Sequence, residues 1–223
     1  MASCEFAPPP GMSGFMMLID IGNASNYMKS FNTLLLRVGR IDMKTVDFVH
    51  KLAEQDRRGA YIFSTKAIQE LFPGESENAL KKSLRRLVER NLLVRMAKGL
   101  YMNPLAASKN SWAIEAVAKA LRPNDFSYVS LESILSEYGV ISQIPIDRIT
   151  VMTTGAPGEF KTPLGVIEFT RTKRSRESLL ERTLEDKRRP LRIASKMAAV
   201  QDLRRVGRNV NMIDESELEE EEA

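Results

Sequence analysis

The side chains with chemistry to offer are mostly donors, not acids or nucleophiles. In SENALKKSLRRLVERN, Ser76, Asn78, Lys81, Lys82, Arg85 and Arg86 follow one another closely, and Arg95, Lys98 and Tyr101 come next in RMAKGLY. A guanidinium is a planar fork that engages two acceptors at once, an asparagine amide does the same on a smaller scale, and a lysine ammonium is a point charge. On double-stranded DNA the forked groups suit base edges and the lysines suit phosphates. Catalysis has less to draw on. The chain holds one histidine, His50, and one cysteine, Cys4, so it has neither an internal disulfide nor a cysteine zinc site. His50 sits on a charged helix with no nucleophile or acid close in sequence, and no GxSxG stretch occurs. GAPGEFK (155–161) has glycines and a lysine but not the spacing of a phosphate loop. A carboxylate-only site, as in a nuclease or nucleotidyltransferase, is left open by residue counts, although no tight GS…DxD pattern is present. The expectation is a protein that is not an enzyme, without metal or cofactor.

The donors need a scaffold, and the hydrophobic pattern supplies one. In 44–57, Val46, Phe48, Val49, Leu52 and Ala53 make one apolar stripe of a helix that Gly59 ends. AYIF (60–63) favours a strand, and Ser64 or Thr65 caps a second helix over 65–72, closed by Pro73-Gly74. Ser76 then caps a third helix, with Glu75 and Glu77 at the positive end of its dipole. At 100° per residue Leu80, Leu84, Leu87 and Val88 share one face; Asn78, Lys82 and Arg85 lie opposite, flanked by Lys81 and Arg86. LLVRM (92–96) and LYM (100–102) flank the turn dipeptide Lys98-Gly99 as a hairpin. Helix, helix and basic-tipped hairpin is the order of a winged helix-turn-helix, whose second helix enters the major groove while the wing touches backbone or minor groove. A solvated basic helix is the plainer reading of the helix taken alone; the cap, the preceding turn and the hairpin favour the first.

Charge agrees with a polyanionic partner. The formal net charge is +4, but 214–223 hold seven acids and no bases, leaving +11 on 1–213. Residues 31–110 carry fifteen bases against eight acids. GFMMLIDIG (14–22) is too short for a membrane span and contains Asp20, and no basic segment of a signal peptide precedes it, so a cytoplasmic protein is expected.

After a linker at Asn103-Pro104 the pattern becomes mixed. It predicts helices over 111–121 and 130–138, strands over 147–154 and 164–172 joined by GAPGEFKTP as a loop or broad hairpin, a charged helix over 175–188, and a last helix from Ile193 to Val206. Tyr128, Leu131, Ile134, Leu135 and Tyr138 read as helical packing, and Trp112 as a domain-packing residue. Lys173, Arg174, Arg176, Arg188, Arg189, Arg204 and Arg205 make a candidate second surface for nucleic acid or a protein partner, although a solvated charged helix is the plainer reading of 175–188. The LRRVGR run (203–208) is read the same way. The fold class is α/β in the broad sense (α+β): a weakly structured extension 1–27, a winged helix 28–108, an α+β domain 109–213 and a disordered acidic tail 214–223.

Three phrases in this order carry a resemblance: RMAKGLYMNP (95–104), YVSLESILSEYGVISQIP (128–145) and LRIASKMAAVQDLRRVGRN (191–209), with ITVMTT and GVIEFTRTK between the last two. Over roughly 45–213 the chain resembles the AbiEi-type antitoxins of type IV toxin–antitoxin, or abortive-infection, systems of phage defence. The resemblance implies a transcriptional autorepressor that binds promoter repeats through the winged helix, and a second domain that counteracts a nucleotidyltransferase toxin, directly or functionally. The extension and the acidic tail inherit nothing from it. A winged-helix regulator without an antitoxin role, its second domain sensing a ligand or partner, is the alternative.

Overall fold

The computed structural model describes residues 43–142 and 147–219. The expectations for 1–27, for Cys4, for ordered structure beginning near Met28 and for the acids of 220–223 lie outside those residues.

The first part is three helices and a small sheet. Helix α1 (Met43–Arg57) turns Phe48 and Leu52 inward and ends before Gly59, whose φ of +79° reverses the chain. Strand β1 (Ile62–Ser64) runs straight into α2 (Thr65–Leu71), because the Ser64 hydroxyl accepts the Ala67 N–H at 3.1 Å and so caps the helix at its first turn. Helix α3 (Glu77–Glu89) follows, then β2 (Val94–Ala97) and β3 (Leu100–Met102). β3 is the central strand, antiparallel to both β1 and β2. These bounds lie within a few residues of those read from periodicity and caps.

The linker is held in place. Asp56, at the end of α1, accepts the Ala107 N–H at 2.8 Å and the Ser108 N–H at 3.0 Å, and its carboxylate is otherwise buried. A buried acid is tolerated because those donors replace its lost hydration.

The second part is a mixed six-stranded sheet. Its elements are α4 (Ala113–Leu121), β4 (Ser127–Val129), α5 (Glu132–Glu137), β5 (Arg148–Thr153), β6 (Gly158–Thr162), β7 (Gly165–Arg171), α6 (Arg176–Glu181), β8 (Thr183–Leu184), β9 (Arg192–Ala194), α7 (Lys196–Val206), a 3-10 turn (Val210–Met212) and α8 (Ser216–Glu219). The strand order is β6-β7-β5-β4-β9-β8. β5 and β7 pair in parallel, as do β4 and β9; the other neighbours are antiparallel. Tyr61, Met96, Leu100 and Met102 of the first part belong to the same buried cluster as Val117, Val129, Ile167 and Leu203 of the second. The whole is an α+β architecture with a smaller helix-and-strand part and a larger mixed part.

Five expectations are corrected. GAPGEFKTP is no simple connection: its GEFKT forms edge strand β6, which makes the hairpin with β7, and β7 then inserts between β6 and β5. β7 is the apolar strand and takes the inner place, while Glu159 and Lys161 put charge on the edge and discourage further pairing. Tyr128 lies in a strand, not on a helix. The charged helix of 175–188 stops at Glu181, and Thr183 enters β8 with its side chain buried. The last helix begins at Lys196, because Ser195 caps it and Ile193 pairs with both β4 and β8. The first half of the acidic tail is ordered onto the body: Asp214 N–H donates to Val140 O at 2.9 Å, Lys196 reaches Glu217 O at 3.2 Å, and Leu218 packs on the core.

Gly165 opens β7 with φ +124°, and a Cβ there would lie 2.7 Å from the Asp147 carbonyl oxygen, whereas Gly139 with φ +77° has nothing within 4 Å. Gly165→Ala therefore meets a backbone wall as well as an unfavourable φ, and is expected to cost about 3 kcal/mol, against about 1 kcal/mol for Gly139→Ala. Urea denaturation of the two variants checks this; equal losses would show that the Asp147 wall yields.

Candidate nucleic-acid interface

Helix α3 has its predicted two faces. Ser76 accepts the Ala79 N–H at 3.3 Å, which starts the helix, and Leu80, Leu84 and Leu87 are 2%, 2% and 4% exposed. Asn78, Lys81, Lys82, Arg85 and Arg86 are all exposed. Their charge is loosely tethered. Lys81 lies 3.6 Å from Glu77, Arg85 Nε donates to Glu89 at 2.9 Å, and Arg86 donates to the Ser83 hydroxyl at 3.2 Å. Exposed pairs one helical turn apart are worth about 0.3–0.5 kcal/mol, so a phosphate or base edge can displace the carboxylate. No ion pair engages Lys82 among the described residues.

The hairpin adds three of the predicted groups. Arg95 and Lys98 are exposed; Arg95 Nε reaches back to the Ala97 carbonyl at 3.4 Å, beside the register shift between Arg95 and Ala97. Tyr101 is half-buried in the central strand, opposite Phe63 on one side and Arg95 on the other. It lies away from the turn, so its hydroxyl is offered from the sheet and not from the hairpin tip. Ser76 spends its hydroxyl on the helix cap, although it stays exposed.

The candidate second surface loses Arg189 and keeps five exposed residues, two of them in ion pairs. Arg189 is no surface group: its side chain is 4% exposed, it donates to Glu137 at 2.5 Å and to Glu115, and its guanidinium lies 3.9 Å from the centre of the Trp112 ring. Burial works against its charge, but Glu137 and Glu115 more than offset that and hold its pKa above the usual value. Burial pushes the Glu115 carboxyl up despite Arg189. Arg174 points at the buried Asp202, 3.6 Å away. Arg204 is clasped by Glu215 at 2.6 Å, and Arg188 by Asp186 at 2.8 Å, which with its backbone N–H holds the Asp186 carboxyl down to about 2. Arg208, in the LRRVGR run, is taken by Glu132 at 2.9 Å and by Glu168, which also binds Arg148 at 2.7 Å. Lys173, Arg176, Arg188, Arg204 and Arg205 stay exposed, with Arg176 5.5 Å over the Phe126 ring.

The sequence reading missed the centre of this arrangement. Asp202 is fully buried and accepts from the Tyr128 hydroxyl at 2.9 Å and the Ser130 hydroxyl at 3.1 Å, with Arg182 at 3.5 Å. Burial first, and Asp202 second, keep the Tyr128 hydroxyl protonated far above its usual range. A signal existed: Ala198, Ala199, Leu203 and Val206 make the inward stripe of α7, and Asp202 falls on it. An acid on an apolar stripe needs partners from elsewhere in the fold. His50 is exposed on α1, and no group of three His, Cys, Asp or Glu among the described residues is placed to hold a metal. No helix among the described residues is long and apolar enough to cross a membrane.

These placements separate structural from surface arginines. Arg189→Ala leaves Glu115 buried without its partner and should cost about 3 kcal/mol, while Arg188→Ala should stay within about 0.5 kcal/mol. Chemical denaturation followed by circular dichroism measures both. A stable Arg189→Ala protein would return Arg189 to the surface set.

Comparison with known proteins adds a family and a distant structural likeness. A crystal structure of the RV2827C protein from Mycobacterium tuberculosis is similar at 17% sequence identity and a TM-score of 0.49, covering 72% of this chain and 60% of that one. The chain thus spans 60% of the length of that protein's structure. No curated protein matches. The model of a family of unknown function, DUF6088, matches residues 49–219, and the chain belongs to that family.

Proposed function

We propose that the protein is a cytoplasmic DNA-binding antitoxin and autorepressor of a type IV toxin–antitoxin operon, whose first part is a winged helix-turn-helix. One observation carries the DNA reading: α3 buries Leu80, Leu84 and Leu87 and leaves Asn78, Lys82 and Arg85 exposed, directly before a hairpin tipped by Lys98. In this reading α3 enters the major groove, where Arg85 and Asn78 address base edges and Lys82 a phosphate, and the hairpin lies along the backbone. The larger α+β part counteracts a nucleotidyltransferase toxin, as the resemblance in its sequence phrases implies. The surface left to it for that role lacks Arg189 and consists of Lys173, Arg176, Arg188, Arg204 and Arg205, with Arg174 partly exposed beside Asp202.

Binding to a duplex of the protein's own promoter, followed by fluorescence anisotropy, tests the DNA reading. Arg85→Ala should reduce the preference for promoter over scrambled duplex by about tenfold, the worth of one bidentate base contact. Lys82→Ala should weaken both duplexes alike and lower the salt slope by about one unit. An Arg85/Lys82 double variant that binds the promoter unchanged would sink the assignment of α3. Growth rescue from the product of a neighbouring nucleotidyltransferase gene tests the antitoxin role; failure to rescue leaves a winged-helix regulator.

A further inference from the structure

We propose that Lys66 and Lys98 form a two-pronged clamp for neighbouring phosphates of one DNA strand, built where the start of α2 is locked to the turn of the β2–β3 hairpin. The inference rests on the DNA reading above and adds a contact residue, Lys66, coupled to Lys98 of the hairpin.

The lock is explicit in the geometry. The Thr65 backbone N–H donates to the Gly99 carbonyl at 2.9 Å, and the Thr65 hydroxyl donates to the same oxygen at 3.3 Å. Immediately before it, Ser64 pairs in register with Leu100. Gly99 suits the turn because its φ is +75°, and the Thr65 hydroxyl lies beside it, 3.4 Å from where a Cβ would stand. The hairpin turn is thus folded onto the first turn of α2 and not held out as a free arm. Its strands of four and three residues leave little length to project. A short, pinned hairpin is poorly built for probing a minor groove and well built for lying against a backbone.

The charges sit on either side of the lock. Lys66 follows Thr65 and Lys98 precedes Gly99, so their Cα atoms lie within roughly 14 Å of each other by chain geometry. Both side chains are exposed. Among the described residues neither takes part in an ion pair, although Glu70 stands one helical turn from Lys66. In the same part of the chain Arg58, Lys81 and Arg85 each have a carboxylate within 3.6 Å. Two uncompensated ammonium groups come from separate elements, and backbone bonding fixes their spacing. Only side-chain rotamer freedom, not backbone freedom, then remains to be lost on binding. Point charges of this kind position a duplex without reading it, and α2 is the element that precedes the groove-entering helix, where contact with the backbone is expected.

Anisotropy titrations of promoter and scrambled duplexes over a salt series test the clamp, using the full chain and the variants Lys66→Ala, Lys66→Arg, Lys98→Ala and the double alanine variant. Lys66→Ala should lower the slope of log K against log salt by about one unit, the double variant by about two, and Lys66→Arg should keep the wild-type slope. Preference for the promoter should stay unchanged in all of them. A wild-type slope in Lys66→Ala, alongside a reduced slope in Lys98→Ala, overturns the clamp while leaving the α3 reading intact. Lost promoter preference in Lys66→Ala also overturns it, since that is groove reading. Absence of promoter binding by the wild-type chain overturns the DNA reading itself, and the clamp with it.

Discussion

The three residues of β3 hold the candidate interface together. Leu100 and Met102 point into a core that also receives side chains from the second part, while the β3 backbone pairs with β1 on one edge and β2 on the other. β1 continues into α2 without a loop, and Leu92 and Leu93, both buried, connect α3 to β2. Burial of two such side chains contributes about 3–6 kcal/mol, and through strand pairing that anchorage positions α2, α3 and the hairpin turn relative to one another. A DNA-facing surface assembled from three elements needs such a common reference, since an error of an ångström between them would break the register of their contacts.

Electrostatics divides along burial. On α3 the ion pairs are exposed and weak, so the basic face remains available to a stronger anion. In the second part several arginines are drawn inward onto carboxylates. Arg189 binds Glu115 and Glu137 against Trp112, Arg208 bridges Glu132 and Glu168, and Arg174 and Arg182 converge on Asp202. Those pairs sit where desolvation is large, and Asp202 and Glu132 each gather several donors that offset it. Charge in the two parts therefore has unequal meaning: one part displays its charge and the other uses much of it for cohesion.

Local strain follows the same logic. Leu131 has φ +59° although it is fully buried and apolar. It is held there by Thr150, which donates its hydroxyl proton to Ser130 O at 2.7 Å, accepts the Ser133 N–H at 3.1 Å and gives its own N–H to the Ser133 hydroxyl at 2.8 Å. The turn from β4 to α5 is thereby tight enough for Leu131, Ile134 and Leu135 to enter the core together.

What the chain determined locally could be read from it. Ser64 and Ser76 are caps because a hydroxyl before an apolar-periodic run can satisfy a first-turn N–H whatever lies around it, and the split of α3 into leucines and bases follows from its period alone. The basic face was legible for that reason, as was the Lys98-Gly99 turn. Partnerships between distant residues were not. Nothing near Arg189 in sequence shows that Trp112, Glu115 and Glu137 will close round it, and nothing near Ile193 shows that it will join β4 and β8 before the helix starts. The parallel pairing of β5 with β7 was hidden because adjacent strands joined by a short connection normally pair antiparallel; here the polar GEFKT takes the edge and leaves the inner position to GVIEFTR. Only the tertiary structure decided which arginines face solvent, because a guanidinium is buried or displayed according to the carboxylates and rings that the fold brings within reach, and their positions are set by packing of the whole core.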